Sequence, residues 1–392
     1  MLSEKGPSLL LQGGRRTIGL LLIAAAFFFL LLTYISIPSY PRLPPATLTT
    51  SSTQSRPNPA RPIPEAPKPH TVSVYEAASN GTVGLDSLIF LNLPHRHDRF
   101  DAVAIQAHLS KLKITRFPAV DASQLKNSGM PPAEGNYVLK EGEKGCFRAH
   151  ANVWQHMLEN DIAATLVFES DAGWDINFRQ IMGKLNGGFR NLLQKEYPDN
   201  RELFQENPDD PWLARSGTWD ILSLGHCVDQ RTNGQYVVYD DPHAPNTDYK
   251  FGLEMGDVLL NHKRIVFRTN ALFCTTGYLV SLSGAARMLV RMAWNFDVPV
   301  DVIMNQMINA GELRAYSMQQ RPVVQWSYIS GIGKGTSNSD IQSDGRPEEG
   351  NAEGWDRAKK DRSVYDYHGG YADASLVEFA LNEAWHRIIG NN

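Results

Sequence analysis

Between Ile18 and Leu32 the chain carries not one charged or strongly polar side chain, and Thr33-Tyr34-Ile35-Ser36-Ile37 prolongs the run. A helix over 18–37 would be roughly 30 Å long, the thickness of a bilayer's hydrocarbon core. Arg15 and Arg16 precede it directly, Lys5 lies further back, and Pro38, Tyr40, Pro41 and Arg42 follow. Adjacent arginines on the short flank favour a cytoplasmic tail over residues 1–17, a transmembrane signal-anchor over 18–37 and a single-pass type II orientation. A cleaved signal peptide is the competing reading. The run exceeds a usual h-region, however, and no small-x-small cleavage site follows it.

Ten of the protein's 23 prolines fall between Pro38 and Pro69, with Ser and Thr filling Thr47 to Ser55. Such a stretch makes a semi-rigid, extended spacer, so residues 38–83 read as a stem. The sequon Asn80-Gly81-Thr82 lies at its end, where a lumenal surface site belongs. About 300 residues remain for a folded part beginning near 84. Formal net charge is -4, so no basic excess exists to neutralise a phosphate backbone and no nucleic-acid partner is expected. Three cysteines without CxxC spacing allow at most one disulfide, with one thiol left over.

Along that part strand and helix signals alternate. Asp86 to Leu93, Ile114 to Val120, Ala163 to Phe168, Trp219 to Leu224 and Tyr278 to Ser281 read as short strands. Ala102, Ile105, Leu109 and Leu112 recur at helical spacing, as do Cys146, Ala149, Val153 and Met157; a further helix starts at Ser283, with that serine as its cap. The alternation predicts an α/β fold with a mostly parallel sheet flanked by helices. Residues 331–356 read as a mobile loop, and Leu376 to Ile389 as an amphipathic closing helix.

In open α/β sheets, ligands bind beyond the carboxyl ends of the strands, which singles out three segments. Arg96 and Arg99 follow the first strand and offer forks of donors to a diphosphate or a base, unless they form only a solvated turn. Glu169-Ser170-Asp171 ends the third strand; two carboxylates one residue apart in extended chain point the same way and could hold Mg²⁺ or Mn²⁺ against phosphate oxygens. Pro299-Val300-Asp301 offers a carboxylate that is either a general base or a helix cap. Asp220 reads most simply as a strand-edge acid.

The order of seven blocks is distinctive: Phe90 to Arg99, Phe117 to Ala122, Gly145 to His150 with Trp154, Val167 to Asp171, Trp219 to Gly225, Gly277 to Ala285, and Pro299 to Asp301. Over roughly residues 86–328 the chain resembles glycosyltransferase family 25, which includes lipooligosaccharide and collagen galactosyltransferases. The resemblance implies a GT-A-like nucleotide-sugar transferase domain (84–330) ahead of a flexible loop and C-terminal helix (331–392). It implies a divalent cation, usually Mn²⁺, a UDP-sugar donor, a glycan or glycoprotein acceptor, and transfer of a sugar, often galactose from UDP-galactose, with inversion. Carried over by position, Asn92, Arg96, Arg99 and Asp220 would contact the donor. Glu169 and Asp171 match the first and last acids of the family's Glu-Asp-Asp box, with Ser170 replacing the middle one, and Asp301 would be the base. Anchor, stem and lumenal transferase make the layout of a Golgi membrane enzyme. The departure at Ser170 motivates a second reading, a membrane-anchored carbohydrate-binding or scaffold protein whose chemistry has lapsed.

Overall fold

The computed structural model describes residues 72–246, 250–253, 256–334, 339–341, 349–367 and 376–390. The expected anchor at 18–37 and most of the stem lie outside them; among the described residues no helix is long and apolar enough to cross a membrane.

A short helix α1 (Val74–Ala78) opens the fold, capped by Ser73, whose hydroxyl accepts from the Glu76 N–H at 3.2 Å. Val74, Ala77 and Ala78 are buried, so the folded part reaches back into the segment whose composition reads as spacer. Then come β1 (Ser87–Asn92), α2 (His97–Ser110), β2 (Thr115–Pro118), α3 (Glu141–Glu159), β3 (Ala164–Glu169), β4 (Ala172–Trp174) and α4 (Phe178–Glu196). The second half holds β5 (Ile221–Gly225), β6 (Val228–Asp240), β7 (Lys250–Leu253), β8 (Gly256–Leu259), β9 (Lys263–Phe273), β10 (Gly277–Ser281), α5 (Leu282–Trp294), α6 (Val300–Asn309), β11 (Ala315–Gln319) and β12 (Val323–Tyr328). It closes with α7 (Ala352–Asp361), β13 (Tyr365–Tyr367) and α8 (Ala380–Ala384).

Eight strands form one sheet in the order β2-β1-β3-β10-β5-β11-β9-β6. Following the pairings across it, six strands run the same way and β10 and β9 run against them. The sheet is therefore mixed with one dominant direction. Strands β1, β3, β10, β5 and β11 are buried on both faces, and alternate residues feed two cores. Leu88, Phe90, Leu166 and Phe168 pack with Trp174, Leu185 and Trp219 on one side. Ile89, Leu91 and Val167 pack with Phe147, Trp154 and Met288 on the other. A smaller sheet, β13-β12-β4, joins the C-terminal residues to the segment just after β3.

Three local expectations need correcting. The cap of α5 is Ser281, whose hydroxyl accepts from the Gly284 N–H at 3.2 Å; Ser283 donates to Asp220 Oδ1 at 2.6 Å instead. The expected loop at 331–356 contains the start of α7, capped by Asn351 through the Gly354 N–H at 2.8 Å. The expected closing helix at 376–389 is helical only over Ala380–Ala384 and the π turn Trp385–Ile389.

Candidate active site

Leu91 lies level with Glu169 on one side and with Phe117 on the other, so the carboxyl ends of β1, β2 and β3 form one edge. Beyond that edge, beneath the N-terminal half of α3, lies a cavity of about 460 Å³ whose walls include Arg99, Cys146, His150, Glu169, Ser170 and Asp171. The cavity floor is thus the end of β3, and its roof is α3.

The roof sits close because Gly145 faces backbone: a Cβ there would meet the Val120 carbonyl oxygen at 2.5 Å. Gly145→Ala should cost about 1–3 kcal/mol through overpacking and shift Cys146 and His150, which follow on the same helix. A melting curve and a turnover assay on this variant check both effects; an unchanged melting temperature would contradict the close packing.

Glu169 is held from several directions. Its N–H donates to the Thr276 carbonyl at 3.1 Å, its Oε1 accepts from the Thr275 hydroxyl at 2.5 Å, and His150 Nε2 lies 3.5 Å away. Burial pushes this carboxyl up, but His150, Thr275 and Arg99 outweigh it and hold Glu169 below its ordinary value. Asp171 goes the other way: burial raises it, Arg99 opposes, and the neighbouring Glu169 charge adds to the rise. Gln325 of β12 donates to Asp171 Oδ2 at 3.1 Å, while the buried Asp171 Oδ1 has no hydrogen-bond partner.

Arg99, on the first turn of α2, is buried and reaches Asp171 at 3.2 Å, Ser170 Oγ at 3.0 Å and Asp340 at 3.1 Å. Ser170 therefore gives an oxygen to Arg99 at the position of the missing middle acid. Cys146 is the one cysteine outside the Cys227–Cys274 disulfide. Burial, with the acids around it, pushes its thiol well up.

The other expected site residues lie elsewhere. Arg96 does not line the cavity; it grips Asp98 with two bonds of 2.9 Å and pairs with Asp340. Asn92 is buried below the rim and donates to the Leu93 carbonyl at 3.0 Å, bracing the turn after β1. Asp220 is the clearest correction. It precedes β5 at the opposite edge of the sheet, because Ile221 pairs with Val280 whereas Gly277 pairs with Phe168. Both its oxygens are taken by Arg314, at 2.9 Å and 2.8 Å, so it cannot contact a donor in this cavity. Asp301 lies outside the cavity walls, on the first turn of α6; its oxygens accept the Cys274 N–H at 3.1 Å and the Val302 N–H at 2.9 Å. The sequence reading missed Thr275, Gln325 and Asp340, and gave His150 no site role beyond its place in the Gly145 to His150 block.

The family model described as Glycosyltransferase family 25 (LPS biosynthesis protein) matches residues 87–304, more than half of the chain. The chain belongs to glycosyltransferase family 25. Among its curated family relatives are human procollagen galactosyltransferase 2, 22% identical over 245 residues, and Xenopus laevis procollagen galactosyltransferase 1-A, 25% identical over 254 residues. These matches cover 60% and 61% of this chain but 32% and 34% of the relatives, so the family 25 chain described here spans about a third of their length. A bovine relative, 22% identical over 230 residues (56% of this chain and 31% of its own), bears the name probable inactive glycosyltransferase 25 family member 3.

Proposed function

We propose that the cavity at the end of β3 transfers a sugar, galactose from UDP-galactose, to a hydroxyl of a glycan or glycoprotein, with inversion, on a GT-A-like domain. The observation that carries this reading is the buried Arg99–Asp171 pair at 3.2 Å in a cavity beyond the carboxyl ends of parallel strands. Family membership and the names of the relatives support it. In this mechanism the acceptor oxygen attacks the anomeric carbon, the bond to the nucleoside diphosphate breaks, and the acceptor proton passes to a base. Arg99 places fixed positive charge where the leaving diphosphate becomes more negative. Arg96, through Asp340, and Asn92, through the turn after β1, hold Arg99's surroundings in place.

The residues present fit a divalent cation such as Mn²⁺. Asp171 Oδ1 is buried with no hydrogen-bond partner, and two carboxylates in one cavity raise each other's energy until a cation joins them. Glu169 and Asp171 would hold it, and it would supply charge to the departing diphosphate. Screening the full chain against UDP-sugars with Mn²⁺ for UDP release tests the reading; no release with any UDP-sugar would overturn it. That outcome would favour the lapsed, carbohydrate-binding reading, which Ser170 in the acidic box and the bovine relative's name support.

Asp301 as the base meets a geometric objection, since both its oxygens already accept backbone N–H groups. Asp301→Asn is expected to cost about 1 kcal/mol, as for a lost helix-end contact, with turnover near normal. A fall of roughly 10²–10⁴-fold at unchanged UDP affinity would restore the base role. Rate, UDP binding and melting temperature decide.

For location we read the chain as a type II protein of the Golgi membrane with its folded part in the lumen. The hydropathy of 18–37 and the Cys227–Cys274 bridge support this, because disulfides persist in oxidising compartments. Protease added to sealed vesicles should spare everything after Pro38. Digestion of the folded part in intact vesicles would refute the orientation.

A further inference from the structure

We propose that Cys146, His150 and Glu169 form a binding site for a thiophilic divalent cation of the zinc class, with a ligand set different from the Glu169–Asp171 pair. One ligand atom from each of the three lies within 4.8 Å of the others. Cys146 and His150 stand one turn apart on the same face of α3, and Glu169 meets them from the end of β3.

The spacing suits tetrahedral coordination. Metal bonds of about 2.0–2.3 Å at tetrahedral angles separate ligand atoms by roughly 3.3–3.6 Å. His150 Nε2 and Glu169 Oε1 are already 3.5 Å apart, and the Cys146 thiol lies within 4.8 Å of both.

A second observation points to the same ligand. His150 is wholly buried, and its Nε2 has no hydrogen-bond partner, although a buried imidazole nitrogen ordinarily finds one. Its other nitrogen, Nδ1, lies 2.8 Å from the Tyr278 hydroxyl. With a cation taking the place of a proton on Nε2, Nδ1–H donates to Tyr278, which fixes the ring, and Nε2 faces Glu169 and Cys146. This is how metal-binding histidines are oriented by a second hydrogen bond. A sulfur, nitrogen and oxygen set selects zinc over harder cations. Three protein ligands leave a fourth position, and all three line the cavity, so that position is open to water or to a phosphate oxygen.

The test reads the metal and not turnover, so it stands apart from the transferase reading. The full chain, stripped by a chelator, is titrated with Co²⁺ alone. A thiolate-to-cobalt charge-transfer band and tetrahedral ligand-field bands are expected, both bleached by Zn²⁺. Cys146→Ser should lose the charge-transfer band, and Tyr278→Phe should lower cobalt affinity by about 10–100-fold. Asp171→Asn should keep both sets of bands. Absence of the charge-transfer band in folded wild type, or its persistence in Cys146→Ser, overturns the proposal. So does its loss in Asp171→Asn, which would make Asp171 part of the ligand set. If Cys146→Ser does not fold, X-ray absorption of zinc-loaded wild type decides: a sulfur neighbour at about 2.3 Å supports the site, and a shell of nitrogen and oxygen alone overturns it.

Discussion

Asp171→Asn is expected to lower sugar transfer by about 10²–10³-fold, the scale of removing one buried group that stabilises developing charge. It should leave the fold intact or slightly more stable. The sign follows from the raised carboxyl. Burial and Glu169 hold Asp171 above its ordinary value, so at neutral pH the ionised side chain opposes folding. Any contribution from its proton is fully present only below the unfolded value and is lost as pH rises through the folded one. An amide removes that charge, and Arg99 keeps Ser170 and Asp340 as partners. UDP release with Mn²⁺ and the melting temperature, measured on the same preparation, check both halves. Undiminished turnover at saturating metal would remove Asp171 from the chemistry.

Asp220→Ala is expected to act the other way, costing about 3 kcal/mol of stability, near the lower end for a broken buried pair because Arg314 still reaches water. Asp220 is fully buried and accepts from the Arg314 guanidinium, the Arg314 N–H and the Ser283 hydroxyl. Burial alone would raise its carboxyl, but these bonds outweigh burial and hold it below its ordinary value. Its contribution is therefore present above the unfolded value, about 3.9, and is lost as pH falls through the lower folded value. Denaturant melts of wild type and Asp220→Asn should differ by a constant above about pH 4 and converge below it. Parallel curves at every pH would show that the ion pair contributes nothing. Close contact adds to the cost of disturbing this corner, since a Cβ on Gly284 would meet the Asp220 carbonyl oxygen at 2.3 Å.

The sheet's first half was legible because β1 and β3 are short apolar runs ended by proline or acids, the signature of strands buried on both faces. The long antiparallel pair β6 and β9 was not, because polar residues such as Thr269 and Asn270 interrupt its apolar pattern and its register shifts near Arg231. The acidic box could be found from its place after a strand. Asp220 was misplaced for a related reason: an acid before a strand and an acid after one look alike in sequence, yet they lie on opposite edges of a sheet. Gln325, Thr275 and Asp340 come from distant segments with no local pattern, and only tertiary pairing brings them to Glu169, Asp171 and Arg99.

The Cys227–Cys274 bridge bears on how this protein can be manufactured. Cys274 sits at φ 66, a left-handed conformation that a non-glycine residue keeps only where its surroundings impose it. Its N–H holds Asp301, and the residue after it holds Glu169. A chain produced in a bacterial host's reducing cytoplasm would have its hydrophobic cores in place but lack the clamp on this corner. Such material is expected to look well folded by circular dichroism and to release less UDP in the proposed transfer assay than the oxidised protein. Export to an oxidising compartment, rather than a change of solubility tag, is the remedy the fold prescribes.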